Sequence, residues 1–154
     1  MLKWPMLVGL LVGLLVVAGL LAYIRLAPSD PVRWHPDPLA APLPTTNGWL
    51  IRPEGGNAGS PVLALDAAAV LTALDAIAMA TPRTTRLAGS VAEGRITYVT
   101  RSNLIGFPDY TTVAVVPVPG GTALVIYARQ RFGTGDMGVN RARVESWLAQ
   151  MPGP

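Results

Sequence analysis

The sequence contains no cysteine, one histidine at position 35 and one lysine at position 3 among its 154 residues. The lack of cysteine excludes disulfides, thiolate catalysis, iron–sulfur clusters and a lipidated N-terminal cysteine. Because His35 lies in a proline-rich segment and has no second imidazole to help it, we expect neither a Ser-His-Asp triad nor a zinc cluster in the domain that follows. We therefore expect no metal site and no cofactor.

A clustered basic excess, which marks proteins that bind nucleic acid, is also missing. The chain carries 12 Lys and Arg residues against 9 Asp and Glu residues. Two of the 12, Lys3 and Arg25, flank the first apolar segment, which leaves ten arginines against nine acidic residues beyond Arg25. That part of the chain is nearly neutral, so we do not expect nucleic acid as a partner.

Residues 1–26 are predicted to form a membrane anchor. Met6 to Ile24 is an uninterrupted apolar segment, and as a helix it spans about 28 Å, close to the roughly 30 Å of a bilayer core. Trp4 and Tyr23 lie near its ends, where amphipathic rings favour the interface. A cleaved secretory signal is the alternative, but its apolar core is usually shorter, and Leu20 stands where cleavage needs a small residue.

Charges flanking this span indicate its orientation. Lys3 and the α-amino group precede the span and Arg25 follows it, so the positive-inside rule places the N-terminus in the cytoplasm and the domain outside it. Gly9 and Gly13 form a G-x-x-x-G, a spacing that lets two transmembrane helices approach closely. A homodimer is therefore one possible assembly.

Residues 27–60 are predicted to be a linker. Prolines recur throughout, and proline fixes φ and removes a backbone donor, so we expect an extended chain with little regular structure. We interpret Trp34 and His35 as juxtamembrane packing rather than as a ligand or a general base. Asn47 to Pro53 is a stretch that can pair as a short edge strand.

Two helices are predicted in the domain of residues 61–151, which is followed by a tail at 152–154. The first begins after Asp66, whose carboxylate can cap the first turn, and it ends before Pro82. The second extends from about residue 139 to 151, because apolar residues recur there at i, i+3, i+4 and i+7.

Strand-like segments fill the interval between these helices. Arg83 to Ser90, Arg95 to Ser102 and Tyr110 to Val118 have strand character, and the Pro-Gly-Gly at 119–121 predicts a hairpin before Thr122 to Phe132. The sequence therefore predicts an α+β fold. It consists of an N-terminal transmembrane helix, a helix, an antiparallel β-meander of about four strands and a C-terminal helix packed on one face.

Carboxylates for acid–base catalysis are sparse in this domain. Most acidic residues lie at predicted helix caps or on helix faces, which leaves Asp109 and Glu93 as loosely placed candidates. We therefore do not expect an enzyme, and a carboxylate-dependent hydrolase stays an alternative.

Arginines offer a second kind of candidate site. Arg129 and Arg131 are two apart on a strand and project from the same face, Arg101 ends an earlier strand, and Asp109 begins the next. One hypothesis is that paired guanidinium groups bind a phosphate or carboxylate, and another is that one arginine forms a buried bidentate pair with Asp109. A solvated strand face with an internal salt bridge explains the same pattern without a ligand.

The stretch RQRFGTGDMGVNRARVESWL, residues 129–148, joins the last strand to the last helix. Gly133 and Gly138 permit positive φ and hence a tight turn, and Asp136 or Asn140 can accept the free amides of the first helical turn. An aspartate at that helix terminus fills the place that an anion would take. We therefore interpret these four residues as shaping the loop.

Two motifs carry a resemblance to a known family. The run FPDY at 107–110 and the pattern R-x-G-x-x-D-x-G-x-N-x-x-R resemble the bacterial and plastid family catalogued as domain of unknown function 1499, over roughly residues 61–151. The family's acidic residue after Phe-Pro falls on Asp109, an N-terminal membrane segment is common among bacterial members, and the family implies no activity. The remaining motif positions fall on Arg131, Gly133, Asp136, Gly138, Asn140 and Arg143.

The leading hypothesis is a single-pass protein of a bacterial inner membrane with a periplasmic α+β domain. That domain would bind an anionic small molecule, a lipid or a protein partner without catalysing a reaction. The alternatives are a structural component of an inner-membrane complex and a hydrolase that works through Asp109 or Glu93. The lipid bilayer is an expected partner in each case.

Overall fold

The structure is a computed structural model and describes residues 3–152. Near the start of this range lies an apolar helix, α1 (Trp4–Leu26). Helix α1 is long and apolar enough to cross a membrane, and Ile24 is its one buried residue among those described. The first two residues of the predicted anchor and the last two of the predicted tail lie outside the described residues.

After α1, residues 3–152 form three more helices and six strands. Every strand pairing in the sheet is antiparallel, in the order β1-β6-β5-β4-β3, and β2 also pairs with β6. The elements are α2 (Pro31–Trp34), β1 (Gly48–Ile51), β2 (Val62–Leu63), α3 (Ala67–Ala80), β3 (Thr84–Ser90), β4 (Arg95–Arg101), β5 (Pro108–Val118), β6 (Gly121–Gln130) and α4 (Val139–Leu148).

The predicted α+β class is confirmed, with two strands more than the four expected. Strands β3 to β6 are the predicted meander. Strand β1 is the predicted edge strand of the proline-rich segment, whereas the two-residue strand β2 is too short to show an alternating pattern. Both extra strands pair with β6 along one edge of the sheet, so part of residues 27–60 belongs to the sheet.

Local sequence signals determine where the helices begin and end. The Asp66 carboxylate accepts a hydrogen bond of 2.7 Å from the Ala69 amide and so caps α3, as predicted. Helix α4 ends at Leu148, three residues before the predicted Met151. Proline at position 152 disfavours helical φ and ψ at Met151, and residues 149–151 form turns in which the amides of Gln150 and Met151 bond the carbonyls three residues earlier.

The core lies between one face of the sheet and helices α3 and α4. Alternate β6 residues, Leu124, Ile126 and Ala128, face this core, whereas Tyr127 and Arg129 project from the opposite face. Against the helices, the rings of Tyr98 and Trp147 meet edge to face at 5.7 Å.

The last turn of α1 touches the loops at one end of the sheet. The ring of Tyr23 contacts that of Phe132 edge to face, with centroids 6.0 Å apart. The Arg25 side chain lies against Gly106, in the loop between β4 and β5. Ile24 and Ala27 are buried at the same junction, so helix and domain are in direct contact.

Candidate functional site

Arg129 is buried on the sheet face that points away from α3 and α4, with only 7 % of its surface exposed. Its guanidinium donates to the Thr112 hydroxyl at 3.2 Å and to the carbonyls of Tyr127 and Trp34 at 3.1 and 2.8 Å. Burial lowers the pKa of Arg129 to about 10, so it stays charged at neutral pH. Its acceptors are a hydroxyl and two carbonyls rather than a carboxylate, and the bond to the Trp34 carbonyl holds the backbone that follows α1.

Residues 28–35, which we term the strap, cover this face of the sheet. The Trp34 ring stacks on Tyr110 with a centroid distance of 3.9 Å and an interplanar angle of 8°. Arg131 donates to the Pro28 carbonyl at 2.8 Å and to the Tyr110 hydroxyl at 3.2 Å. Both arginines of the predicted anion site therefore bind the strap.

His35 ends the strap and is held between two strand residues. Its Nε2 accepts a hydrogen bond of 3.1 Å from Arg95, so the ring proton lies on Nδ1, which contacts the Thr97 hydroxyl at 2.7 Å. Burial lowers the pKa of His35, Arg95 and Arg129 lower it further, and Glu93 opposes them. The neutral imidazole is thus the form that fits this contact.

Four polar residues form one connected chain on the other face, beneath α4. Asp136 accepts hydrogen bonds from the amide and side-chain nitrogens of Asn140 at 3.1 and 2.8 Å. The Asn140 side-chain oxygen accepts from Arg143 at 2.7 Å, and Arg143 in turn donates to Asp109 at 2.8 Å. This polar chain joins the loop before α4, the helix itself and the start of β5.

The ionisation of Asp109 reflects its place in the polar chain. Burial is the main cause that raises its pKa, and the nearby Asp136 carboxylate adds to that rise. Arg143 opposes the rise by donating a hydrogen bond and by its positive charge. Asp109 is therefore harder to ionise than a solvated aspartate, although it is ion-paired.

A cavity of about 280 Å³ lies beside the polar chain. Its walls include Phe107, Phe132, Met137 and Val139, and its polar groups come from Ser102, Asp109, Gln130 and Asp136. The side-chain nitrogen of Gln130 is buried and has no hydrogen-bond partner among the described residues. Because the Gln130 residue also lines the cavity, a turn of its side chain would present this N–H to a ligand that can accept its hydrogen bond.

The predicted pairing of Arg129 or Arg131 with Asp109 is not formed. Tyr110 is the register partner of Arg129, and Asp109 is the partner of Gln130. Neighbouring residues on a strand point to opposite faces, so Asp109 and Gln130 lie on the cavity side and the two arginines on the strap side. Asp109 pairs with Arg143 of α4 instead.

The remaining predicted residues shape the two loops at this end of the sheet. Arg101 donates to the Gly106 carbonyl at 3.0 Å and so closes the loop between β4 and β5. Gly133 and Gly138 have φ of 99° and 80°, values that favour glycine. Asp136, rather than Asn140, accepts from the amide of Gly138, just before α4, and from the amide of Asn140 in its first turn. Glu93 lies apart, in the turn after β3, where it bonds Ser90.

Sequence reasoning did not single out Gln130, Phe107 and Phe132 as site residues. Gln130 lies between Arg129 and Arg131, which were predicted as site residues. Alternate residues of a strand share a face, so the period that places the two arginines together places Gln130 on the opposite face. The two phenylalanines contact each other with centroids 6.2 Å apart. Phe107 was noted only as part of a motif.

The family described as "Protein of unknown function (DUF1499)" matches residues 41–151. The chain belongs to the DUF1499 family. The match begins 20 residues before the region of the motif resemblance, and the added part contains β1. Comparison with curated proteins gives no match, and comparison with solved structures gives none either.

The DUF1499 motif has a structural meaning in this chain. Four of its positions form the polar chain: Asp109, Asp136, Asn140 and Arg143. Three of the four hydrogen bonds in this chain join two side chains, and the bond between Arg143 and Asp109 is also an ion pair. Two of its members, Asp109 and Asp136, also line the cavity. The motif residues therefore form part of the cavity wall, where Asp109 and Asp136 contribute carboxylate acceptors.

Proposed function

We propose that this DUF1499 protein is a membrane-anchored binding domain whose cavity holds the polar end of a lipid. The observation that carries the proposal is that Gln130 lines the cavity while its side-chain nitrogen is buried without a hydrogen-bond partner among residues 3–152. A buried N–H without a partner costs about 1–3 kcal/mol. A ligand atom that accepts this hydrogen bond recovers that free energy, and the aromatic wall of Phe107 and Phe132 suits an apolar neighbour.

The polar groups of the cavity indicate which head group fits. Gln130 offers a donor, while Asp109 and Asp136 offer acceptors, and Arg143 balances only one of the two carboxylates. An uncharged group that both accepts and donates, such as a hydroxyl or an amide, matches this set. The anionic ligand predicted from Arg129 and Arg131 is less well supported here, because those arginines hold the strap.

The size of the cavity indicates how much of the lipid enters. A volume of about 280 Å³ is at the lower end of small-molecule sites, which run from about 300 to 1,000 Å³. It accommodates a head group and the first carbons, while the acyl chains remain outside. Met137 and Val139 form an apolar edge along which the chains can leave.

Native mass spectrometry of the full-length protein, extracted from its own membrane, tests this proposal. We expect an adduct of lipid mass on the wild type, its loss in Gln130→Met and its retention in Gln150→Met, which changes an exposed glutamine. A bare wild-type protein, or the same adduct on Gln130→Met, would contradict the proposal. A dimer that Gly9→Leu with Gly13→Leu dissociates would instead support the assembly hypothesis.

A carboxylate-dependent hydrolase is the second candidate, because Asp109 and Asp136 both line the cavity and burial raises the pKa of Asp109. The mass of the adduct on the variant Asp109→Asn distinguishes a hydrolase from a binding domain. A hydrolase variant would accumulate intact substrate and show a heavier adduct than the wild type. A binding domain would show the wild-type mass, at equal or lower occupancy.

The location that we propose is the periplasmic side of a bacterial inner membrane. It is supported by the length and apolar character of α1 and by the positions of Lys3 before it and Arg25 near its end. An alkaline phosphatase fusion after Pro154 should be active in bacterial cells. An inactive fusion would place the domain in the cytoplasm.

A further inference from the structure

Two loops at the α1 end of the sheet expose large apolar side chains. Leu104, in the loop between β4 and β5, is 88 % exposed, and Met137, in the loop between β6 and α4, is 99 % exposed. Ile105 and Val139 are 39 % and 49 % exposed, and the two segments meet at the cavity, which Ser102 and Phe107 line together with Met137 and Val139. We term these four residues the apolar patch. Exposed patches of this kind mark protein or membrane contacts.

The apolar patch lies next to the end of the membrane helix. Phe132, which precedes Met137 in the same loop, contacts Tyr23 in the last turn of α1. Gly106, two residues after Leu104, lies against the Arg25 side chain. A bilayer crossed by α1 therefore ends close to both loops.

The strap fixes the domain in this orientation. Arg131 bonds the Pro28 carbonyl at 2.8 Å and Arg129 bonds the Trp34 carbonyl at 2.8 Å. These contacts begin two residues after α1 ends, so the domain is not a free body on a flexible tether. The apolar patch keeps its position relative to the helix.

We propose that the apolar patch is seated in the head-group region of the bilayer that α1 crosses, so that the cavity opens to lipid rather than to water. The proposal rests on the membrane anchoring in the proposed function. Met137 and Val139 belong to both the patch and the cavity lining. Arg25 lies against Gly106, the neighbour of Ile105 in the patch, where an arginine attracts lipid phosphates.

Single cysteines test this contact without background, because the natural chain contains none. Leu104→Cys and Met137→Cys would carry an environment-sensitive fluorophore, in full-length protein reconstituted into phosphatidylglycerol-containing vesicles. Pro119→Cys is the matched control, because Pro119 is exposed in the hairpin at the far end of β5. That end is roughly 30 Å from the loops at about 3.3 Å per residue.

We expect blue-shifted emission and strong quenching by nitroxide-labelled lipid at positions 104 and 137, and neither effect at 119. Quenching at 104 and 137 no stronger than at 119 would overturn the proposal. Protection of 104 and 137 from iodide without quenching by nitroxide lipid would also overturn it, because a protein partner would then cover the patch. The fluorescence experiment needs no ligand in the cavity, so its result does not depend on whether the lipid adduct is found. The adduct test likewise does not depend on the fluorescence result.

Discussion

Arg129 and Trp34, 95 residues apart in the sequence, are joined by a 2.8 Å hydrogen bond from a guanidinium nitrogen to a main-chain carbonyl. The bond ties the segment that follows α1 to the centre of the sheet. Around it, the strap residues stack on Tyr110 and bond Arg131, so that one face of the sheet is closed. The cavity of about 280 Å³ lies at the same end of the sheet, on its other face.

Arg129→Ala should release the strap. The substitution removes charged hydrogen bonds, each worth about 1.5–3 kcal/mol, and leaves the Trp34 carbonyl unpaired. We expect a loss of about 2–3 kcal/mol in thermal or urea unfolding and faster proteolysis within residues 28–35. Arg33→Ala changes an exposed arginine of the same segment whose guanidinium lies 5.1 Å from the Trp34 ring centroid, and it should cost at most about 1 kcal/mol. Equal effects of the two substitutions would show that Arg129 does not hold the strap.

Acidification should loosen the strap through His35. Its pKa in the folded protein lies below the ordinary value of 6.5, so the released form binds more protons below that pH. The contribution of His35 is therefore complete above pH 6.5 and declines as the pH falls further. Hydrogen exchange of residues 28–35, corrected for intrinsic rates, should rise across this range. In His35→Gln the rise should disappear, and its persistence would assign the pH effect to another group.

The ion pair of Asp109 and Arg143 should show strong coupling. Their side chains are 14 % and 11 % exposed, and breaking a buried pair from one side costs roughly 3 kcal/mol or more because a charge is left unpaired. Asp109→Asn and Arg143→Met should each be costly, and the double variant should cost much less than the sum. The exposed pair Arg141 and Glu145 is the control and should couple by at most about 0.5 kcal/mol. Additive effects at the first pair would contradict a connected polar chain.

Local signals explain which elements the sequence predicts well. Asp66 caps α3, and the segment Pro119 to Gly121 forms the hairpin turn that connects β5 to β6. Both signals involve residues that are only a few positions apart, so the sequence alone reveals them. The strap was not predicted as a sheet cover, since a proline-rich segment has no period to show which face it meets. Its contacts to Tyr110 and Arg129 connect residues more than 70 positions apart.

The candidate site depended on strand register, which the sequence did not determine. The arginines at 129 and 131 and the aspartate at 109 lie at the same end of the sheet, as expected. A shift of one residue in register exchanges the two faces of a strand, and the observed register opposes Asp109 to Gln130. The aspartate therefore meets Arg143, whose helix packs on β6 and β1 and could not be positioned on the sheet from the sequence alone.

Gln130→Met should separate stability from binding. The side-chain nitrogen of Gln130 is buried and finds no partner in the described part of the chain, so its removal relieves a desolvation cost rather than breaking a bond. We expect the melting temperature of the apo protein to stay the same or to rise. The lipid adduct should be lost nonetheless. A variant that unfolds at lower temperature would mean that Gln130 serves the fold.

Photo-crosslinking at Phe107 in the native membrane tests the central claim, a lipid head group in the cavity, most directly. The photoreactive analogue benzoylphenylalanine would replace Phe107, and mass spectrometry would identify what is attached after irradiation. Our account predicts a single lipid species on the otherwise wild-type chain, and its loss when Gln130→Met is added. A product that is unchanged by Gln130→Met, or that consists only of protein, would contradict a lipid-binding cavity.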